Sequence, residues 1–137
     1  QFGVGALSDG SPFPGTVMML TFGTGIGSGL FVDGVLVPNT ELGHLELDGH
    51  DAELKASAKA RERDDLSWKD WASRVEYYLS HVEALFSPDL FIVGGGASKK
   101  PEKWLPHIGI ATPVLPAKMA NNSGIIGAAL AAQDRRP

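Results

Sequence analysis

The stretch LTFGTGIGSGLFV, residues 20–32, constrains the fold more than any other part of this sequence, because glycine occupies every second position in it. The glycines stand at positions 23, 25, 27 and 29. Side chains of an extended chain point alternately to its two faces, so a period of two leaves one face bare. Clustered glycine also disfavours a helix. The stretch therefore predicts an extended segment. A dinucleotide-binding loop would instead need Gly-x-Gly-x-x-Gly at a strand-to-helix turn.

The bare face has two interpretations, and the spacing alone does not choose between them. Exposed backbone N–H groups suit the close approach of phosphate oxygens, with the hydroxyls of Thr21 or Thr24 as further donors. Alternatively, the glycines only permit a tight bend or the close packing of neighbouring strands.

The residues around this stretch predict three strands and then two helices. TVMMLTF, GLFV and VLVP form the predicted strands within residues 16–37, and Asp33-Gly34 predicts a hairpin between the last two. DAELKASAKARERDD, residues 51–65, predicts a solvated helix. A longer amphipathic helix is predicted to start at Ser67 and to end at Ser87-Pro88. Its predicted apolar positions are Trp68, Trp71, Val75, Tyr78, Leu79, Val82, Leu85 and Phe86.

The rest of the chain completes an α/β pattern. DLFIVGGG and TPVLPA predict two short strands, and NNSGIIGAALAAQ predicts a helix of small residues capped by Asn122 or Ser123. The Gly94-Gly95-Gly96 turn directly follows LFIV and precedes Lys99 and Lys100. The carboxyl end of a buried strand is the usual ligand crevice of an α/β sheet, and paired lysines suit a polyanion. The alternative is a flexible turn with solvated lysines.

A third candidate site lies in ELGHLELDGHDAE, between the two glycine turns. The carboxylate of Glu41 and the imidazole of His44 can point into one pocket and hydrogen-bond vicinal hydroxyls, and Glu53 is a further candidate there. Zinc is the competing interpretation, with His44, His50 and nearby acids as ligands, although neither thiolates nor an HExxH pattern is present. The remaining histidines, His81 and His107, are predicted to be structural or at the surface, and the three tryptophans are predicted to belong to the core or to an interface.

Composition limits the class of protein. The 137 residues suffice for one domain, and residues 1–15 predict a loop or the remnant of an upstream lobe. A net charge of -4 argues against general nucleic-acid affinity. No cysteine is present, which excludes disulfides and thiolate metal sites. Without a long apolar run or a visible signal peptide, we expect a cytoplasmic chain with no membrane segment.

Three ordered motifs resemble the ROK-family sugar kinases, and within them the polyphosphate glucokinases. They are LTFGTGIGSGLFVDGVLVPNTELGHLELDGHDAE, LFIVGGGASKK and NNSGIIGAALAA, and the similarity runs from about Thr16 to Ala132. The resemblance implies an α/β fold, with residues 16–137 forming the carboxyl-terminal lobe of an actin-like ATPase (ribonuclease H-like) kinase. It also implies transfer of a phosphoryl group from polyphosphate or ATP, with magnesium, to the 6-hydroxyl of glucose.

The resemblance also assigns roles to individual positions. It implies that Glu41, His44 and Glu53 bind glucose. The implied phosphate-binding residues are Gly23, Thr24, Gly25, Gly94, Gly95, Gly96, Lys99 and Lys100. Many ROK proteins bind zinc through the histidine corresponding to His44 and through downstream cysteines. Those cysteines are missing here, so no metal site is expected in this chain.

The sequence departs from the family pattern at its amino-terminal side. Family members carry an upstream lobe with an Asp-x-Gly-Gly phosphate loop and an Asn-Asp pair whose aspartate is the general base. Neither is present, and Asp9-Gly10 follows no predicted strand. We therefore expect an inactive fragment that lacks its amino-terminal lobe. Alternatives are a non-catalytic sugar or polyphosphate binding module and, more weakly, a ROK-type repressor. A homodimer is also expected, with Trp68, Trp71 and Tyr78 at its interface.

Overall fold

The computed structural model describes residues 14–117, which form a five-stranded sheet with one long helix packed on it. The strands are β1 (Thr16–Phe22), β2 (Ile26–Val32), β3 (Val35–Val37), β4 (Glu46–Leu47), β5 (His50–Asp51), β6 (Leu90–Gly95) and β7 (Val114–Pro116). The helices are α1 (Glu53–Ala56), α2 (Ala58–Arg63) and α3 (Trp68–Phe86). The predicted α/β fold class is confirmed.

The sheet is mixed, with strand order β3-β2-β1-β6-β7. β1, β2 and β3 are antiparallel neighbours, whereas β1 pairs parallel with β6 and β6 pairs parallel with β7. The hairpin at Asp33-Gly34 is confirmed, since both residues have positive φ angles, 50° and 83°. Two such residues give the turn whose twist matches that of paired strands. β4 and β5 form a separate two-stranded hairpin.

Helix α3 has the predicted limits. The Oγ of Ser67 accepts a hydrogen bond from the Asp70 amide at 3.0 Å, which caps the first turn, and Ser87 ends the helix in the left-handed conformation. The predicted apolar face is buried from Trp71 to Val82. Leu85 is an exception, being 63% exposed, whereas Phe86 in the same last turn packs against the core.

An aromatic cluster supports the end of β1. Phe22, the last residue of that strand, makes edge-to-face contacts with Trp71, Tyr78 and Trp104. The indole N–H of Trp71 also donates to the backbone carbonyls of Ala56 and Ser57. All four aromatic side chains are essentially inaccessible to solvent. The aromatic contacts therefore fix the position of Phe22, directly before the glycine turn.

Two predictions on this part of the chain are wrong. Residues 51–65 form two short helices, because Ser57 is extended and its Oγ caps α2 by accepting from the Ala60 amide at 3.1 Å. Trp71 and Tyr78 do not offer a subunit interface, because both are buried inside the lobe.

Some predictions fall where the structure makes no statement. Most of the predicted loop of residues 1–15, and the predicted helix capped by Asn122 or Ser123, lie outside the described residues. Within residues 14–117, no helix combines the length and the apolar character that crossing a bilayer requires.

Candidate functional site

The two predicted phosphate turns lie side by side at the carboxyl ends of the neighbouring strands β1 and β6. β1 and β6 run parallel, with Thr21 opposite Gly94 and Phe22 opposite Gly95. Gly23, Thr24 and Gly25 follow β1, and Gly96 follows β6. Carboxyl ends of neighbouring parallel strands form the usual ligand crevice of such sheets. The structure thus brings together all six residues that the sequence predicts to bind phosphate in the two turns.

Two of these glycines face open space. A Cβ atom added to Gly23 or to Gly96 would meet no other atom within 4 Å. Gly95, in contrast, has a positive φ of 83°, and a side chain there would strike the backbone of Phe22. Gly95 is required by the fold, whereas Gly23 and Gly96 leave room for a ligand.

The glycine repeat does not form one bare strand face, and that prediction is wrong in part. β2 begins only at Ile26, so Gly23 and Gly25 belong to the turn between β1 and β2. At Gly27 a Cβ atom would lie 2.6 Å from the Oγ1 of Thr21 on the neighbouring strand. Close strand packing therefore explains the glycine at this position.

The carboxylate of Glu53 fills the space beside Gly25. A Cβ atom at Gly25 would lie 2.5 Å from the Oε1 of Glu53, and one at Gly43 would lie 2.8 Å from the same oxygen. That oxygen accepts a hydrogen bond from the Ile26 amide at 2.9 Å. The side chain of Glu53 is 25% exposed. Two glycines and one amide thus hold this carboxylate in a slot next to the first turn.

His44 lies among three carboxylates. Its Nδ1 is 2.9 Å from the Oδ2 of Asp51 and 3.7 Å from the Oε2 of Glu53, while its Nε2 is 3.9 Å from the Oε1 of Glu41. The structure therefore brings together the three residues predicted to bind a sugar. Glu41 is at the rim, with 74% of its side chain exposed.

Three neighbouring groups set the position and protonation of His44. The hydrogen bond that His44 donates to the Asp51 carboxylate, followed by the charge of Glu53, raises the pKa of His44 above the ordinary value of 6.5. Tyr78 fixes the short turn that carries His44, because its hydroxyl donates to the Leu42 carbonyl at 2.9 Å. Burial raises the pKa of Tyr78, so its hydroxyl remains a donor.

Asp51 was not predicted as a site residue, although the sequence holds a signal for it. Asp48 and Gly49 both have positive φ angles and form the turn between β4 and β5. This is the same Asp-Gly hairpin signal as at residues 33–34. The hairpin returns the chain so that Asp51 faces His44.

The cluster of His44, Asp51 and Glu53 is also compact enough to bind one metal ion, since one potential ligand atom from each lies within 4.8 Å of the others. His50, a candidate in the zinc interpretation, is outside this group and contacts the Asp51 carbonyl at 3.0 Å. Magnesium prefers six oxygen ligands and fits poorly where an imidazole is one of three donors. We therefore assign no magnesium ligand among the described residues.

Lys99 and Lys100 line a groove together with residues from two helices. We call this groove, of about 290 Å³, the basic groove. Its lining residues are Ala58, Arg61, Glu62, Trp68, Trp71, Gly96, Lys99 and Lys100. Both lysines are exposed. A larger cavity of about 370 Å³, between the β4–β5 hairpin and α3, is lined by His50 but by none of the residues predicted to bind sugar or phosphate.

Comparison with characterised proteins shows extended sequence similarity. The chain is 48% identical over 122 residues to a polyphosphate glucokinase of Mycobacterium tuberculosis, a match that covers 89% of this chain and 46% of that protein. It is 45% identical over 117 residues to the polyphosphate glucokinase of Mycobacterium leprae, covering 85% and 36%. The chain thus spans less than half the length of these relatives. No family model matches it.

Solved structures show the same fold. The inorganic polyphosphate/ATP-glucomannokinase of Arthrobacter sp. strain KM superposes with a TM-score of 0.77 at 56% identity, covering 93% of this chain and 50% of that one. A ROK family glucokinase of Streptomyces griseus, solved with glucose and AMPPNP, gives a TM-score of 0.64 at 21% identity, covering 83% and 59%. The fold is therefore that of part of a ROK sugar kinase.

Proposed function

Because this chain is homologous over most of its length to polyphosphate glucokinases of the ROK family, we propose that residues 16–137 form the carboxyl-terminal lobe of such a kinase. The complete enzyme transfers the terminal phosphoryl group of polyphosphate or ATP to the 6-hydroxyl of glucose. One observation carries this proposal beyond homology. The amide of Ile26 directly follows the Gly23–Gly25 turn and holds Glu53, which in turn lies beside His44.

The sugar subsite consists of Glu41, His44 and Glu53. A sugar presents hydroxyl groups that both donate and accept hydrogen bonds. The carboxylates accept from these hydroxyls. The Nδ1 of His44 is engaged by Asp51, which leaves Nε2 to face the sugar. Glu53 keeps one oxygen on Ile26 and directs the other towards His44.

The donor subsite consists of the two glycine turns, with Lys99 and Lys100 beside them. Phosphoryl transfer depends on positioning and on neutralising the charge of the donor. Open space at Gly23 and Gly96 lets phosphate oxygens approach the backbone, and the lysines supply positive charge. Magnesium would supply further positive charge against the donor's phosphates, and no described residue of this chain is assigned to hold it. The general base belongs to the amino-terminal lobe, and no residue of this chain is assigned that role.

The remaining parts of the proposal concern the whole protein. The kinase acts in the cytoplasm, where ATP and glucose are both available, and it needs an amino-terminal lobe to close the cleft. A homodimer remains part of the proposal, but its surface lies elsewhere than at Trp71 and Tyr78, which are buried.

Alanine substitution of Glu41 or His44 in the complete kinase tests the sugar subsite. Loss of one hydrogen-bonding partner typically costs about 1–3 kcal/mol, so we expect a KM for glucose that rises by about tenfold or more. The KM for the phosphoryl donor should change much less. His81→Ala is the matched control, because His81 is an α3 side chain that contacts only the neighbouring Tyr77 carbonyl among the described hydrogen bonds. An unchanged KM for glucose in both variants would mean that Glu41 and His44 have only a structural role.

A metal ion is the competing occupant of the cluster formed by His44, Asp51 and Glu53. Its compact geometry is the observation that favours this alternative. Elemental analysis of the purified protein, before and after dialysis against a chelator, separates the two occupants. Stoichiometric zinc that is lost together with glucose binding would support the metal. Glucose binding that survives the removal of metal would support the sugar subsite.

A further inference from the structure

We propose that the basic groove binds the distal part of a linear polyphosphate chain and that Arg61 is its specificity-determining residue. This inference rests on the proposed function and extends its donor subsite by a residue that the sequence did not single out. The groove lies between α2, the start of α3 and the segment after β6.

Arg61 lines the groove and has no carboxylate partner among the described residues. Its Nε is buried and has no hydrogen-bond partner. No carboxylate of residues 14–117 forms an ion pair with it, whereas the nearby Arg63 and Arg74 both pair with Asp64. Burying a cationic donor without a partner is costly unless a ligand supplies the acceptor. An anionic ligand in the groove would supply the counter-charge that the Arg61 guanidinium lacks.

The charge of the groove is opposite to that of the whole chain. Arg61, Lys99 and Lys100 contribute three positive charges to its lining, and Glu62 contributes the single negative charge. The chain as a whole carries a net charge of -4. A local positive potential of this kind attracts an extended anion rather than a neutral ligand.

The groove continues from the two glycine turns. Gly96, at the end of the second turn, is one of its lining residues. The amide of Lys59, on the helix that carries Arg61, donates to the Gly23 carbonyl of the first turn at 3.0 Å. A chain of phosphates whose reacting end lies at the turns can therefore extend directly over Arg61 and the lysines.

The position of Trp68 favours a polyphosphate over a nucleotide base in this groove. The guanidinium carbon of Arg61 lies 3.7 Å from the centre of the Trp68 ring. One face of the indole is thus already covered by a cation, so a base cannot stack there. The stacking also fixes the guanidinium, which reduces the entropy lost when it binds phosphate.

The test compares Arg61→Met with Arg63→Met in the intact protein that carries this chain. Met keeps an apolar side chain against Trp68 but removes the charge. Arg63 belongs to the same helix, is outside the groove and pairs with Asp64. We expect Arg61→Met to raise both the Kd and the KM for long-chain polyphosphate by about tenfold or more, as loss of a charge-assisted hydrogen bond implies. The KM for ATP should rise several times less, and Arg63→Met should leave the KM for polyphosphate at the wild-type value even where it lowers stability.

Chain length and salt provide further readouts. Long polyphosphate can fill more of the groove than tripolyphosphate, so the KM for tripolyphosphate should respond less to Arg61→Met than the KM for long polyphosphate. The salt dependence of polyphosphate binding should weaken in the variant. Lys99→Gln should also weaken polyphosphate binding. Because Lys99 is exposed, this variant should fold and provides a second test if Arg61→Met does not. Equal losses with ATP and polyphosphate, or no loss with either, would overturn the inference.

Direct binding separates this inference from the proposed function. Polyphosphate binding, measured by tryptophan fluorescence without glucose, should weaken in Arg61→Met. Should the wild type bind polyphosphate through Arg61 yet transfer no phosphoryl group to glucose, the proposed function would fail and the groove would stand. Should the wild type use polyphosphate while Arg61→Met behaves identically, only the groove would fail.

Discussion

Glu53 connects the proposed sugar and donor subsites through single contacts. One carboxylate oxygen accepts from the amide that follows the first glycine turn, and the other lies 3.7 Å from the Nδ1 of His44. The slot that holds this carboxylate exists because residues 25 and 43 have no side chains. At the scale of residues, the position of Glu53 thus depends on the missing side chains at Gly25 and Gly43 as much as on the hydrogen bond from the Ile26 amide.

Gly25→Ala should impair glucose use without unfolding the protein. Its methyl group would lie 2.5 Å from the Oε1 of Glu53, the end of a flexible side chain, so the carboxylate should move rather than the backbone. We expect the KM for glucose to rise about tenfold, the cost of misplacing one hydrogen-bond partner. Gly23→Ala meets open space and should act on the KM of the donor instead. Steady-state kinetics of both variants measure the contrast. Equal KM values for glucose in the two variants would contradict the role of the space that Gly25 leaves for Glu53.

Asp51→Asn should lower the pKa of His44 towards 6.5, because a neutral amide replaces the carboxylate whose hydrogen bond contributes most to the raised value. Histidine NMR titration measures the shift directly. A raised folded-state pKa stabilises the fold fully below about 6.5, and this stabilisation is lost as the pH rises through the folded-state pKa. The unfolding free energy of the wild type should therefore decline across that window more than that of Asp51→Asn. Identical titration curves would contradict the role of Asp51.

The sequence predicts some site residues better than others, for a physical reason. Glu41, His44 and Glu53 lie close together along the chain, so their spacing and the family resemblance suggest one site. Arg61 was not predicted to take part, because its role depends on where α2 lies relative to the segment after β6. Such long-range placement leaves no local pattern in the sequence.

At the scale of elements, the short helix α2 carries more of the candidate site than its six residues suggest. It carries Arg61, and the backbone of Lys59 contacts the first glycine turn. Isolated helices this short are unstable, so α2 depends on its caps and on tertiary contacts. Ser57 caps its start, and Asp64 at its end bonds Arg63 and Arg74, the second of which lies on α3. The prediction of one continuous helix overlooked Ser57 as a cap.

Asp64→Asn should destabilise the fold at neutral pH and much less in acid. The bonds from Arg63 and Arg74 hold the pKa of Asp64 well below its ordinary value of 3.8. A lowered folded-state pKa contributes stability above about 3.8 that is lost as the pH falls towards the folded-state value. Urea unfolding at neutral and acidic pH measures the difference. Asp65→Asn is the control, because Asp65 is the next residue and has no described ion pair. A difference in unfolding free energy between wild type and Asp64→Asn that stays constant with pH would contradict the role of the ion pairs with Arg63 and Arg74.

At the scale of the whole molecule, the proposed sugar-binding groups adjoin the proposed donor turns, because Glu53 contacts both Ile26 and His44. The pattern of strands and helices predicted the α/β class, the three amino-terminal strands and the limits of α3. It did not predict the strand order, because the pairing of β1 with β6 joins segments separated by all three helices. Local periodicity carries no information about such a pairing.

The purified 137-residue chain should not phosphorylate glucose. It spans less than half the length of the polyphosphate glucokinases it matches, and the proposed general base lies in the other lobe. A coupled assay for glucose 6-phosphate, with polyphosphate and with ATP, measures this. A kinase of full family length containing the same residues is the positive control. Turnover by the isolated chain, free of such an enzyme, would show that a base exists within these residues.

The parallel pairing of β1 with β6 also has a kinetic consequence. The Thr16 amide donates to the carboxylate of Asp89, and the Asp89 amide donates to the Thr16 carbonyl, across 73 positions of the chain. Contacts so distant in sequence form late in folding, because closing the intervening loop costs entropy before any contact compensates for it. The two glycine turns can thus meet only once the centre of the sheet is assembled. A nascent or partly unfolded chain should therefore have no donor site at all, and an anion that bridges both turns should slow unfolding rather than speed folding.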